Sequence, residues 1–368
     1  MQALKDMIDA ISSPQLLTAV VVIVFVLALR FRRLTLSPVS YVFLLLPVIA
    51  LVVGVTDKNF GKVITKADNV PIVIMVGLVI FLTWYAMRLA VRNDQTLGIT
   101  KSLPEDVAGR EKVLVWPDLV YIELIAAVLF TVLLVAWSIW LKAPLEEPAN
   151  PAIAPNPSKA PWYFLGLQEM LVYFDPWIAG VFLPSLIIVG LMAVPYIDPN
   201  PKGNGYYTFK ERPFAISIFL FGFVVLWVFL IFIGTFLRGP NWNFFGPFEY
   251  WDVHKLEPLV NVNLSEFIWV RWFNTALPGN ISLGPLTIPG WLLRELPGLL
   301  MVALYFAVLP AVLAKTVFRK MYSQMGFIRY NVMVFLLLNM MAMPIKMFLR
   351  WTFNLKYIVA IPEYFFNI

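Results

Sequence analysis

The chain has 368 residues, no cysteine, one histidine, 60% hydrophobic residues and only 14% charged ones. Soluble domains are roughly 45–50% apolar and about 25% charged, so the composition is that of an integral membrane protein. It excludes a disulfide framework, an iron–sulfur cluster, a zinc ribbon or a covalent haem c held by this chain, and the lone His254 excludes a haem ligated by two of its own histidines.

A span needs about 20 apolar residues. In chain order, eight segments are predicted to cross: 14–31, 39–55, 70–90, 119–141, 177–196, 214–237, 296–314 and 331–349. The second is short and carries Pro47. The first 13 residues hold Asp6 and Asp9, and no small-residue cleavage site follows the first apolar run, so they do not read as a signal peptide and the first span is expected to be retained. Of the 28 Lys and Arg, 15 fall in the shorter set of loops: 30–38, 88–116, 197–212 and 315–330. That side is therefore read as cytoplasmic (the n-side), with both termini on the p-side. The net charge of +6 lies in these loops and is not a nucleic-acid signal, and the 15% aromatic content suits a chain with two lipid–water interfaces to anchor. The predicted fold class is an all-α integral membrane protein of about eight transmembrane helices, with a Pro-rich p-side loop and an amphipathic interfacial segment. Four blocks are expected: three helices in 1–97, a three-helix block in 98–240, an aromatic p-side loop in 241–295, and two helices in 296–368.

Few ionisable residues lie inside the spans. Asp118 and Glu123 are in the first turns of span four and Lys346 is near the end of span eight. Ion-coupled transporters usually carry carboxylates or broken helices near the midplane, so this pattern speaks against one.

Three loops carry information. Residues 142–163 are proline-dense and favour extended backbone, as a stiff linker or as a preshaped wall at the p-face. Residues 164–175 read as a short helix that places Trp162, Leu165, Gly166 and Glu169 on one face. A carboxylate there needs a partner, a proton or water. The loop 238–295 contains Asn263-x-x-Glu266, a capping-box-like start, followed by Phe267, Ile268, Trp269, Trp272 and Phe273. An interfacial amphipathic helix or a subunit contact would explain it. His254, in the same loop, reads as a surface residue.

Between Val113 and Arg238 four pieces occur in order: Trp116-Pro117-Asp118-Leu119 opening a span, Glu147-Pro148-Ala149-Asn150-Pro151 in the next p-side loop, Pro161-Trp162-Tyr163-Phe164 after it, and Glu211-Arg212-Pro213 before a later span. On these pieces the stretch resembles the C-terminal half of cytochrome b, most closely subunit IV of cytochrome b–f-type complexes, with Pro161-Trp162-Tyr163-Phe164 at the family's quinol-site signature. The charge-derived orientation independently puts Pro161-Trp162-Tyr163 on the p-side, where the family oxidises quinol. One departure matters. The family has a glutamate immediately before the Trp, and here that position is Pro161, preceded by Ala160. Glu169 is the candidate substitute base, with Tyr163 a candidate hydroxyl in the same network. Asp175 is a weaker candidate, because Asp175-Pro176 reads equally well as a helix-start pair.

The resemblance implies a quinone-site subunit of a respiratory or photosynthetic quinol–cytochrome c oxidoreductase in the bacterial inner membrane. Quinone is then the substrate. Pro161, Trp162, Tyr163 and Phe164 would line the p-side site, and Asp118, Lys210 and Arg212 an n-side one. Asp118 reads equally as a carboxylate favoured by a helix start, and the two cations as ordinary positive-inside residues. No haem would be ligated by this chain; haem b would sit in a partner cytochrome b, with a Rieske iron–sulfur protein and a c-type cytochrome as further partners. Polysulfide-reductase-type quinone anchors, and transporters or assembly subunits, are the competing classes. The anchors leave the Pro-rich run into Pro161-Trp162-Tyr163 unexplained, and a transporter or assembly subunit predicts no co-purifying haem.

Overall fold

The computed structural model describes residues 2–100, 103, 109, 112–141, 145, 148–200 and 207–368. Glu147 of the Glu-Pro-Ala-Asn-Pro run lies outside the described residues, as do the loop residues Lys101, Arg110, Lys142 and Lys202. Among the described residues six helices are long and apolar enough to cross a membrane, and two bent pairs bring the number to eight if each pair is one span. The protein is an all-α integral membrane protein. Its contacts divide it into two compact units, Met1–Ser158 with Asn204–Lys255, and Lys159–Gly203 with Leu256–Ile368.

The first unit begins with one of the bent pairs. Gln2–Ile11 and Pro14–Arg30 meet at 80°, because Ser13 is extended and Pro14, which lacks an N–H, can open a helix but not continue one. The second pair, Val39–Gly54 and Lys58–Ile64, bends by 113°. Asp57 restarts the chain there: its Oδ1 accepts the N–H groups of Asn59 (2.8 Å) and Phe60 (3.1 Å), two of the free donors at the start of the new helix. The turn closes so tightly that a Cβ on Gly61 would lie 2.6 Å from the Val55 carbonyl.

Val70–Thr100 runs ten residues beyond the expected end of the third span, so residues 88–100, expected as loop, are helix. Its polar end is held by neighbours. Arg88 donates to the Thr35 carbonyl, Asn93 donates to the Tyr207 carbonyl (3.0 Å), and Asp94 accepts the Lys210 N–H (3.0 Å). Met87, Ala90 and Phe209 pack beneath them, and the Arg32 guanidinium lies 4.2 Å from the Phe209 ring centre. Pro213–Leu237 supplies the main core of this unit, where Phe229, Ile231, Ile233, Phe236 and Leu237 close on Ile72. Val115–Trp140 buries none of its residues against the rest of the chain.

In the second unit, the helices Leu296–Lys315 and Arg319–Phe353 pack around Met325, Tyr330, Val334 and Leu338. Two tyrosines bridge them: Tyr330 donates to the Pro310 carbonyl and Tyr305 to the Leu338 carbonyl, both at 2.8 Å. The long helix is broken at Gly326 (φ +73°, ψ −179°), a conformation open essentially to glycine alone. The expected span 331–349 therefore belongs to a longer helix that starts directly after this break. The amphipathic segment forms as a wide helical turn over Glu266–Trp272, but no side chain caps it, so the capping box read from Asn263 and Glu266 is not made. Backbone bonds from Val262 to Asn354, from Lys356 to Val262 and from Leu264 to Tyr357 hold its start instead. The C-terminal strands Ala360–Ile361 and Phe366–Asn367 pair antiparallel.

Candidate functional site

The segment from Lys159 to Ile197 lies in the second unit. Pro161 is extended, Trp162–Phe164 forms one tight turn, and Leu165–Met170 continues as a short helix. Gln168 ties the two parts together by accepting the Ala160 N–H at 2.9 Å. The expected face is largely present: Leu165, Gly166 and Glu169 are buried with Met170. Trp162 is not part of it. The tight turn changes the residue spacing, and Trp162, Tyr163 and Phe164 stand 42–48% exposed. Their rings form a continuous aromatic run, Trp162 edge-on to Tyr163 (5.7 Å between centres) and Tyr163 tilted against Phe164 (4.6 Å).

Glu169 is fully buried, so it is not a carboxylate at the water-exposed surface. Its Oε1 accepts the Tyr173 hydroxyl at 3.3 Å, long for an O–H···O bond. The hydroxyl that reaches Glu169 is thus that of Tyr173, one turn further on, and not that of Tyr163. Tyr173 is itself buried and packs edge-on against Trp351 (5.9 Å).

Three cations from the C-terminal part of the chain surround this segment. Lys356 donates to the carbonyls of Leu171 and Val172, both at 3.0 Å, satisfying acceptors left free where the short helix ends. Lys346 is almost completely buried, donates to the Lys356 carbonyl (2.6 Å) and lies over the ring of Phe174. Arg350 donates to the carbonyls of Val260 and Asn354. Burial pushes the Lys356 ammonium down to about 8, with the Arg350 charge acting the same way and Asp175 against it. None of these three was a sequence candidate for the site. They come from some 180 residues downstream, and only Tyr173, at i+4 from Glu169, carried a local signal.

Asp175 behaves as a helix-start residue. Its Oδ1 accepts the Trp177 N–H (3.0 Å), its carbonyl accepts the Ala179 N–H (2.9 Å), and its other oxygen accepts from Asn367 (3.4 Å).

The remaining candidates lie in the first unit. Asp118 is exposed in the opening turn of Val115–Trp140. Lys210 is exposed but its backbone is pinned to Asp94, and Arg212 precedes the helix that Pro213 opens. No hydrogen bond or ion pair between described residues joins Asp118 to either cation. His254 is exposed, and its N–H donates to Asp252. Among the described residues no group of three or more His, Cys, Asp or Glu is placed to hold a metal ion.

Residues 148–248 match the family model described as cytochrome b (C-terminal)/b6/petD. The match covers a little over a quarter of the chain. It includes Pro161, Trp162, Tyr163, Phe164, Glu169, Tyr173, Lys210 and Arg212, and starts after Asp118. No solved structure matches the chain.

Proposed function

We propose that this chain is the quinone-site subunit of a cytochrome bc-type quinol–cytochrome c oxidoreductase, and that Glu169 is the proton acceptor at its quinol-oxidation site. The observation that carries the reading is the position of Glu169: a fully buried carboxylate on the short helix that directly follows Pro161-Trp162-Tyr163, inside the stretch that matches the cytochrome b family.

Oxidising a quinol to the quinone releases two protons and two electrons. A carboxylate within hydrogen-bond reach of a quinol hydroxyl takes up the first proton, and such general-base help is typically worth about 10²–10⁴-fold. Pro161 occupies the position where the family carries its glutamate, and Glu169 supplies the missing group from two helical turns away. Tyr173 orients the carboxylate from behind. The exposed rings of Trp162, Tyr163 and Phe164 form an apolar surface on which a quinone ring can stack. The electrons pass to centres held by partner subunits: haem b in a cytochrome b, and a Rieske iron–sulfur protein leading to a c-type cytochrome. The site then lies on the p-side of a bacterial inner membrane. Asp118, Lys210 and Arg212 are proposed to serve an n-side quinone site.

The test is Glu169→Gln in the purified complex. Quinol-to-cytochrome c turnover falls by at least 10²-fold while subunit composition is unchanged. Wild-type turnover in the assembled variant would remove Glu169 from the role.

A further inference from the structure

The first unit contains a cavity of about 280 Å³ that plays no part in the proposed reaction. Its walls come from both arms of the bent pair Val39–Gly54 and Lys58–Ile64, from Val70–Thr100, and from the end of Pro213–Leu237. Leu51, Phe60, Ile64, Gly77 and Phe236 are representative, and no charged side chain of the described residues lines it. Such a lining recognises hydrocarbon. The volume is near the lower limit of ligand pockets, about 300–1,000 Å³, which suits one chain segment rather than a whole amphiphile.

Gly77 marks the open space. It lies in the middle of a helix, where glycine is disfavoured relative to alanine, and a Cβ built on it meets no atom of the chain within 4 Å. Nothing among the described residues fills that part of the wall.

One of the helices that line the cavity also carries charge. The Lys58–Ile64 helix turns Phe60, Val63 and Ile64 to the cavity, while Lys58 and Lys62, one turn apart, are exposed. Neighbouring lysines are neutralised, Lys5 by Asp57 and Lys66 by Asp68. Lys58 and Lys62 have no ion pair among the described residues. A short helix with an apolar inner face and exposed lysines is suited to the boundary between acyl chains and headgroups.

From these features we infer that the cavity binds one acyl chain of an anionic phospholipid whose phosphate is held by Lys58 and Lys62. Attraction of exposed lysines to anionic headgroups supplies the selectivity. A quinone's isoprenoid tail would satisfy the cavity but leave the lysine pair without a role. This inference does not depend on the quinol-site reading.

Native mass spectrometry of the delipidated complex, titrated with phosphatidylglycerol or phosphatidylcholine, tests it. The wild type retains one additional phosphatidylglycerol per chain, with at least a tenfold preference over phosphatidylcholine. Gly77→Leu, or Val48→Phe as a second filling variant, loses that lipid with an unchanged thermal midpoint. Lys58→Gln with Lys62→Gln keeps a lipid but loses the preference. Equal retention of the two lipids by the wild type, persistence of the lipid in the filled variants, or loss of a quinone mass in place of a phospholipid on filling would overturn the proposal.

Discussion

The carboxylate of Glu169 and the hydroxyl of Tyr173 meet at 3.3 Å, one helical turn apart, with both side chains buried. Tyr173→Phe keeps the ring against Trp351 and removes only the hydroxyl. A hydrogen bond to a charged group is worth about 1.5–3 kcal/mol, and this one is long. We therefore expect quinol oxidation to fall about tenfold, less than in Glu169→Gln, with assembly unaffected. Stopped-flow oxidation of quinol by the purified complex measures it, and a rate equal to wild type would show that Tyr173 does not orient the base.

Lys356 carries a pH signature. Its pKa lies at about 8 in the folded protein, below the ordinary 10.5, chiefly through burial. Below pH 8 the residue is charged in both folded and unfolded states, and the folded state bears the cost of burying the charge. Between about pH 8 and 10.5 the unfolded chain binds the extra proton, so Lys356 makes stability rise with pH across that window. Lys356→Gln removes this rise. Thermal midpoints from pH 7 to 10 in wild type and variant measure the difference, and parallel curves would contradict it.

Glu295 anchors the C-terminal hairpin. It is buried, accepts the Ala360 N–H (3.0 Å) and pairs with Arg294 (3.0 Å), which also reaches Glu363 (3.1 Å). Glu295→Ala leaves a buried N–H unpaired and breaks a buried ion pair, a loss of about 3–5 kcal/mol, and the retained Arg294–Glu363 pair places it at the lower end. Glu295→Gln keeps an acceptor and costs less. The hydrogen bond from Arg294 holds the Glu363 carboxyl below its usual range. That pair's contribution is present at neutral pH and is lost as pH falls through the folded-state value. Limited proteolysis of the C-terminal residues follows both effects; equal resistance of Glu295→Ala and wild type would contradict the anchor.

Gly326 tests the helix break. No atom lies within 4 Å of a Cβ placed there, so the cost of Gly326→Ala is conformational alone, about 1–3 kcal/mol for this backbone region. A thermal midpoint at or above wild type would mean that the break closes into continuous helix.

The spans are legible because a stretch of about 18 or more predominantly apolar residues with few charges has few alternatives to crossing a membrane. The 80° and 113° bends are not, although Pro14 and Asp57 mark both places. Proline and a capping aspartate signal that a helix starts, but not the direction it takes. The end of Val70–Thr100 is not legible, because Arg88 and Arg92 look like loop charges, whereas Asn93 and Asp94 bond to the segment around Tyr207 and Lys210, over 100 residues away. At the candidate site, the buried face of Leu165, Gly166 and Glu169 followed from helical spacing. The cations around it did not, since Lys346, Arg350 and Lys356 are brought there by tertiary packing of the last helix.

The most direct test of a quinone-site subunit is what it carries with it. A complex isolated in mild detergent through a tag on this chain should give a dithionite-reduced minus oxidised spectrum of haem b, stoichiometric with the chain by pyridine haemochrome. An intact complex with no haem b would contradict assembly with a cytochrome b, and with it the assignment of Glu169 to quinol oxidation.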